Sequence, residues 1–144
     1  MNRTYSIFLL LCIIINSIFT ACSNNDDAQI PNELIGDWIG ICHESRGTSY
    51  LSVSFNTDLT GELLLESPSG AYNMAYFEYT MSGNEVLCKG TSSGTIGGGG
   101  TNNNFSMTFH WDTNRLTPIN QYTQFILTKD GSIETDQDGN ITTY

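Results

Sequence analysis

Few side chains in these 144 residues carry reactive groups at a spacing that would let them act together. His43, Glu44 and Ser45 are adjacent, and His110 stands two positions before Asp112. Neighbours in an extended segment point to opposite faces, so neither set brings a nucleophile, a base and an orienting group to one point. There is no G-x-S-x-G elbow, no H-E-x-x-H helix, and the glycines Gly97 to Gly100 are not followed by the Lys-Ser and helix of a phosphate loop. No catalytic residue is assigned, and the chain reads as a non-enzyme. Metal chemistry fares no better. Cys42 and Cys88 lack the close-spaced pair that zinc sites use, and His43 beside Cys42 faces the other way. Asp136 to Asn140 (DQDGN) lacks the remaining ligands and distant Glu of a calcium loop, and reads as a hairpin turn. Neither a metal nor a cofactor is expected.

Cys22 has the most telling surroundings. Arg3, the apolar run from Ile7 to Ile15 and the small pair Thr20 and Ala21 read as a secretion signal over residues 1–21. The alternative, a transmembrane anchor, meets an apolar stretch broken by Asn16 and Ser17 and short of the ~20 residues a span needs. The FTAC sequence ending at Cys22 resembles a bacterial lipoprotein cleavage site, with Phe19 where Leu is usual. That resemblance implies cleavage before Cys22 and its acylation, as by palmitate, giving a membrane partner through the acyl chains alone. Residues 22–32 are polar and read as a flexible tether. Asp26 and Asp27 within it resemble the acidic export signal of Bacteroidota lipoproteins, which implies the outer face of the outer membrane. An ordinary solvated linker facing the periplasm is the alternative.

Residues 22–144 hold four basic against fifteen acidic side chains, a formal charge of −11. Such a field repels phosphate backbones, so nucleic acid is excluded as a partner, and no basic cluster exists to hold the domain flat on anionic lipid. Cys42 and Cys88 are the two cysteines left for the folded part. An oxidising envelope compartment permits a disulfide, which would stabilise by about 4 kcal/mol through a loop of about 47 residues. Two buried thiols are the other reading, and spacing does not choose between them.

The apolar pattern from Glu33 onward has period two, and residues 33–144 read as one all-β domain. Leu51, Val53 and Phe55 share one face of a strand against Ser52 and Ser54; Phe105, Met107, Phe109 and Trp111 repeat the pattern against Ser106, Thr108 and His110. Further strands are expected near 36–43, 61–66, 72–81, 85–89, 122–128, 133–135 and 141–144. Pro68 and Pro118 are expected between strands. Turn signals at Ser82 to Asn84, Asp130–Gly131 and Asp138–Gly139 separate apolar runs. Successive hairpins of about eight to nine strands predict a small antiparallel up-and-down β-barrel, since closure removes exposed edges.

With those residues in place, Leu34 to Trp38 (LIGDW) is similar to the G-x-W start of lipocalins and lipocalin-like lipoproteins, carried by Gly36 and Trp38. Phe55 to Gly61 (FNTDLTG) resembles the family's turn after its second strand, with Leu59 where glycine is usual. The family packs its Trp across the closed end, commonly under a late-strand Arg; here the late segment offers Lys129 and the nearer Arg is Arg115. The resemblance implies a cup that holds a small apolar or amphipathic ligand, with Trp38, Phe55, Tyr76, Phe109 and Trp111 as candidate contacts. Two surface readings stand beside it for a side-chain-filled barrel. One is a protein-interaction module using either an aromatic strand that carries Tyr72, Tyr76 and Tyr79 or the glycine-rich segment 91–104; the other is a glycan-binding accessory using Trp111, Asp112 and Asn114. Residues 91–104 (TSSGTIGGGGTNNN) are expected to be a long loop without regular structure.

Overall fold

The computed structural model describes residues 30–94 and 103–142. The expected secretion signal, the expected acylation site Cys22, Asp26 and Asp27, residues 95–102 of the glycine-rich segment and the last two residues lie outside them. Among the described residues there is no helix. The eight strands are β1 (Gly36–Glu44), β2 (Gly47–Phe55), β3 (Thr60–Glu66), β4 (Tyr72–Ser82), β5 (Glu85–Gly94), β6 (Asn103–Asp112), β7 (Arg115–Ile119) and β8 (Glu134–Asp136). Strands β1 to β7 form an antiparallel meander, and β8 lies parallel beside β1.

Alternation decides which side of the sheet is dry. Leu51, Val53 and Phe55 of β2 are buried, and so are Trp38 and Cys42 of β1, Phe77 and Tyr79 of β4, Val86 and Cys88 of β5, and Met107 and Phe109 of β6. The sheet therefore curls around this face. Its two ends meet at a narrow seam: Leu116 of β7 and Leu127 exchange both backbone hydrogen bonds (3.0 and 2.9 Å), and Ile39 of β1 and Thr128 exchange theirs (2.8 and 3.0 Å). The expected small β-barrel is observed, closed by two adjacent residues.

The strand map differs from the sequence expectation in four places. The segment 122–128 is an irregular strap with only those two bridges, because a buried Phe125 and Leu127 fill the gap between β1 and β7 without room for a full ladder. Strand β7 contains Pro118, paired with Phe109. The Leu116 N–H points at Leu127, away from β6, so two residues on the Pro118 nitrogen faces the same side and no β6 ladder bond is lost. Strands β5 and β6 extend to Gly94 and Asn103, so both ends of the glycine-rich segment are regular, held by pairing of Asn73 with Gly94 and Ser92 with Asn103. At the chain end only Ile141 bridges, to Thr135. The packed unit also reaches back into the expected tether, since Ile30 rests on the core and Pro31 accepts a hydrogen bond from Leu34 N–H (2.9 Å).

Candidate functional site

One end of the barrel is full. Trp38, Phe55 and Phe109 are completely buried there, and the Phe55 ring meets Tyr79, Phe77 and Phe109 edge-on at 4.9, 5.8 and 6.3 Å between centroids. The Tyr79 hydroxyl donates to Asn56 O at 2.6 Å. Trp38 Nε1–H donates to Leu34 O (2.8 Å), and the Lys129 ammonium lies 4.7 Å from the centre of the Trp38 ring while donating to Leu34 O and Ile35 O. A cation over an indole face caps this floor from outside. Desolvation by the surrounding chain pulls the Lys129 ammonium below its ordinary value, opposed by the charge of Asp37.

The opposite end is open. A cavity of about 310 Å³ lies there, with Leu63, Leu65, Ala75 and Phe105 as its apolar wall and Asn73, Ser92 and, from the exposed rim, Gln121 as its polar one. Tyr122 from the seam strap closes one side. The mixture gives a small amphipathic molecule a dry wall and several hydrogen-bonding groups.

The candidate contacts read from sequence are thus split among different places. Trp38, Phe55 and Phe109 belong to the packed floor, not to the cavity wall. Trp111 is half-buried on the inner side of β6, packed against the core, with its Nε1–H enclosed and unpaired, so it forms no flat platform with Asp112 and Asn114. Tyr76 is half-exposed on the outer side of β4. The cavity residues Ala75, Ser92 and Gln121 were not singled out by sequence: only height along the barrel distinguishes Ala75 and Ser92 from other inward strand positions, and Gln121 lies on an exposed bend after β7.

Cys42 and Cys88 are both buried free thiols, which removes the disulfide from the two readings. Their strands are separated by β2, β3 and β4. Cys42 Sγ donates to Asp136 O at 3.3 Å, while Cys88 sits in the row of Tyr79 and Met107. Burial pushes both thiols up, so neither carries a reactive thiolate at neutral pH.

An arrangement invisible in the sequence forms on the outer side of β1. His43 Nε2 lies 2.6 Å from Glu134 Oε2, and Nδ1 lies 3.1 Å from Thr48 Oγ1. The hydroxyl, imidazole and carboxylate are in the order of a catalytic relay, but none of them lines the cavity at the mouth. What the row does is fasten the three-residue β8 to β1 and β2. Among the described residues no group of three His, Cys, Asp or Glu is placed to hold a metal ion, and no helix is long and apolar enough to cross a membrane. Comparison with protein-family models, with curated proteins and with solved structures finds no match for the chain.

Proposed function

We propose that this chain is a lipocalin-like, non-catalytic binding module that takes a small amphipathic molecule into the mouth of its barrel and is tethered by acylated Cys22 at the outer face of the outer membrane. The observation that carries the binding reading is the 310 Å³ mouth cavity with one apolar and one polar wall, above a floor that is already filled. That volume is at the small end of ligand sites, which suits a compact molecule better than a long acyl chain. Support for the lipocalin likeness comes from the floor and the second turn. Lys129 covers Trp38 where the family commonly has arginine, and Leu59 adopts φ +68°, the backbone conformation that the family's glycine favours. The anchor rests on the sequence around Cys22.

Native mass spectrometry of the protein extracted from its own membranes tests the binding reading. A stoichiometric small molecule that leaves on denaturation, and that is missing from an Ala75→Phe variant, is the expected result. A clean apo mass after incubation with a lipid-rich cell extract would contradict it.

A further inference from the structure

Among the described residues, four of the six exposed large apolar side chains, Tyr50, Leu64, Tyr72 and Tyr76, gather on the outer face of three neighbouring strands, β2, β3 and β4. The registers place them in rows: Tyr50 with Glu66 and Tyr72, Leu64 with Met74, and Glu62 with Tyr76 and Thr91. Scattered surface apolar residues need no explanation, whereas a contiguous patch rimmed by polar groups marks a contact surface. At one end the patch drops into an open groove of about 590 Å³ lined by Asn56, Thr60, Glu62, Tyr76, Glu78 and Lys89. Gly61 and Gly90 flank Phe77 beneath it; a Cβ at Gly90 would collide with the Tyr76 carbonyl, and one at Gly61 with the Phe77 ring, so the close approach of the strands under the groove requires both glycines.

We propose that this groove and its tyrosine strip bind a neutral polysaccharide chain. Tyrosine faces offer flat apolar area to the C–H side of a sugar ring and a hydroxyl at the rim. Around Tyr76 stand two carboxylates, an amide, two threonine hydroxyls and one ammonium, a set that accepts from and donates to sugar hydroxyls. Asn56 Nδ2–H donates to Thr60 Oγ1 (3.1 Å), and the Thr60 hydroxyl donates to Asp58 (2.6 Å), which fixes that edge before any ligand arrives. Tyr72 and Tyr76 lie four residues apart on one strand, about 13 Å, a length that suits an extended chain and not a compact solute. Charge decides the class of chain: Glu62, Glu66 and Glu78 on the patch and a formal −10 overall repel sulfated or uronic polymers. A basic protein is the competing occupant; the mixed lining about Tyr76, with the Lys89 ammonium set among the carboxylates, favours the polysaccharide. The site is on the opposite face of the sheet from the mouth and does not depend on it.

The test is native affinity electrophoresis of the full chain in non-ionic detergent through gels containing, separately, a soluble β-glucan, glycogen, a mannan and a xylan. Retardation in at least one gel is expected. Tyr76→Ala should weaken it about tenfold, Tyr76→Phe should keep it, and Ala75→Phe in the mouth should leave it unchanged. No retardation in any gel, equal retardation of Tyr76→Ala, or stable complex formation with a basic protein such as lysozyme in place of glycan retention would overturn the proposal.

Discussion

Replacing Phe55 by alanine separates a filled floor from a hollow cup. Phe55 is almost completely buried and its ring contacts those of Phe77, Tyr79 and Phe109. Truncating a buried Phe costs about 3–5 kcal/mol when neighbours cannot collapse into the space. Each edge-on ring pair adds about 0.5–1.5 kcal/mol beyond area alone, though pairs sharing one ring do not add fully. A loss near 4 kcal/mol is therefore expected, a large share of the roughly 5–15 kcal/mol that holds a domain together. With a urea slope of about 2 kcal/mol per molar, the unfolding midpoint should fall by about 2 M. Phe55→Leu, which keeps much of the volume, should lose well under half as much. The assay is urea unfolding followed by tryptophan fluorescence and by circular dichroism, with coincident transitions. A loss below about 1.5 kcal/mol would mean that the ring borders empty space, and the filled floor would be refuted.

Three further outcomes follow from single contacts. Leu59→Gly should stabilise the fold by about 0.5–1 kcal/mol, because Leu59 is exposed and holds φ +68° at a cost that glycine avoids; a destabilisation in thermal melts would contradict this. Cys42 and Cys88 should resist a thiol reagent in the folded protein and react after unfolding, with no change in stability on adding reductant; rapid labelling, or a melting point that falls with reductant, would contradict the free buried thiols. Asp136 is held below the ordinary aspartate value of 3.8 first by the Asn140 side chain, then by Asn140 N–H, with smaller help from Asp138 and Gly139 N–H. A depressed folded value means that its contribution is complete above the unfolded value and is lost as pH falls through the folded one. Stability of the native chain should therefore decline on acidification below about pH 4, and Asp136→Asn should flatten that part of the curve; an unchanged slope would show that the hydrogen bonds do not favour the charged form.

The sheet was legible where alternation was clean. Ser52 and Ser54 against Leu51, Val53 and Phe55 identify both the strand and its dry side, and the same holds for β6. Strand β7 was hidden by Pro118, whose harmlessness depends on which edge its nitrogen faces, a fact of pairing and not of composition. The outer ends of β5 and β6 were hidden by Ser, Thr, Asn and Gly, which form strand because the neighbouring ladder satisfies their backbone. Tyr122 to Thr128 carried an alternation that the seam uses for packing without building a strand. For the site, period two tells inward from outward but not height along the barrel. Height comes from register and strand tilt, so Phe55 at the floor and Ala75 at the mouth look alike in sequence. Contacts such as His43 with Glu134, 91 positions apart, leave no local trace.

Binding at the mouth above a packed floor is the central claim, and a titration with a neutral, environment-sensitive naphthalene dye tests it most directly. The native protein and a Phe109→Leu floor variant should bind the dye alike, with saturable fluorescence enhancement, while Ala75→Phe, still folded by circular dichroism, should lose it. Dye binding that survives Ala75→Phe and changes with Phe109→Leu would put the ligand in the floor and contradict the account.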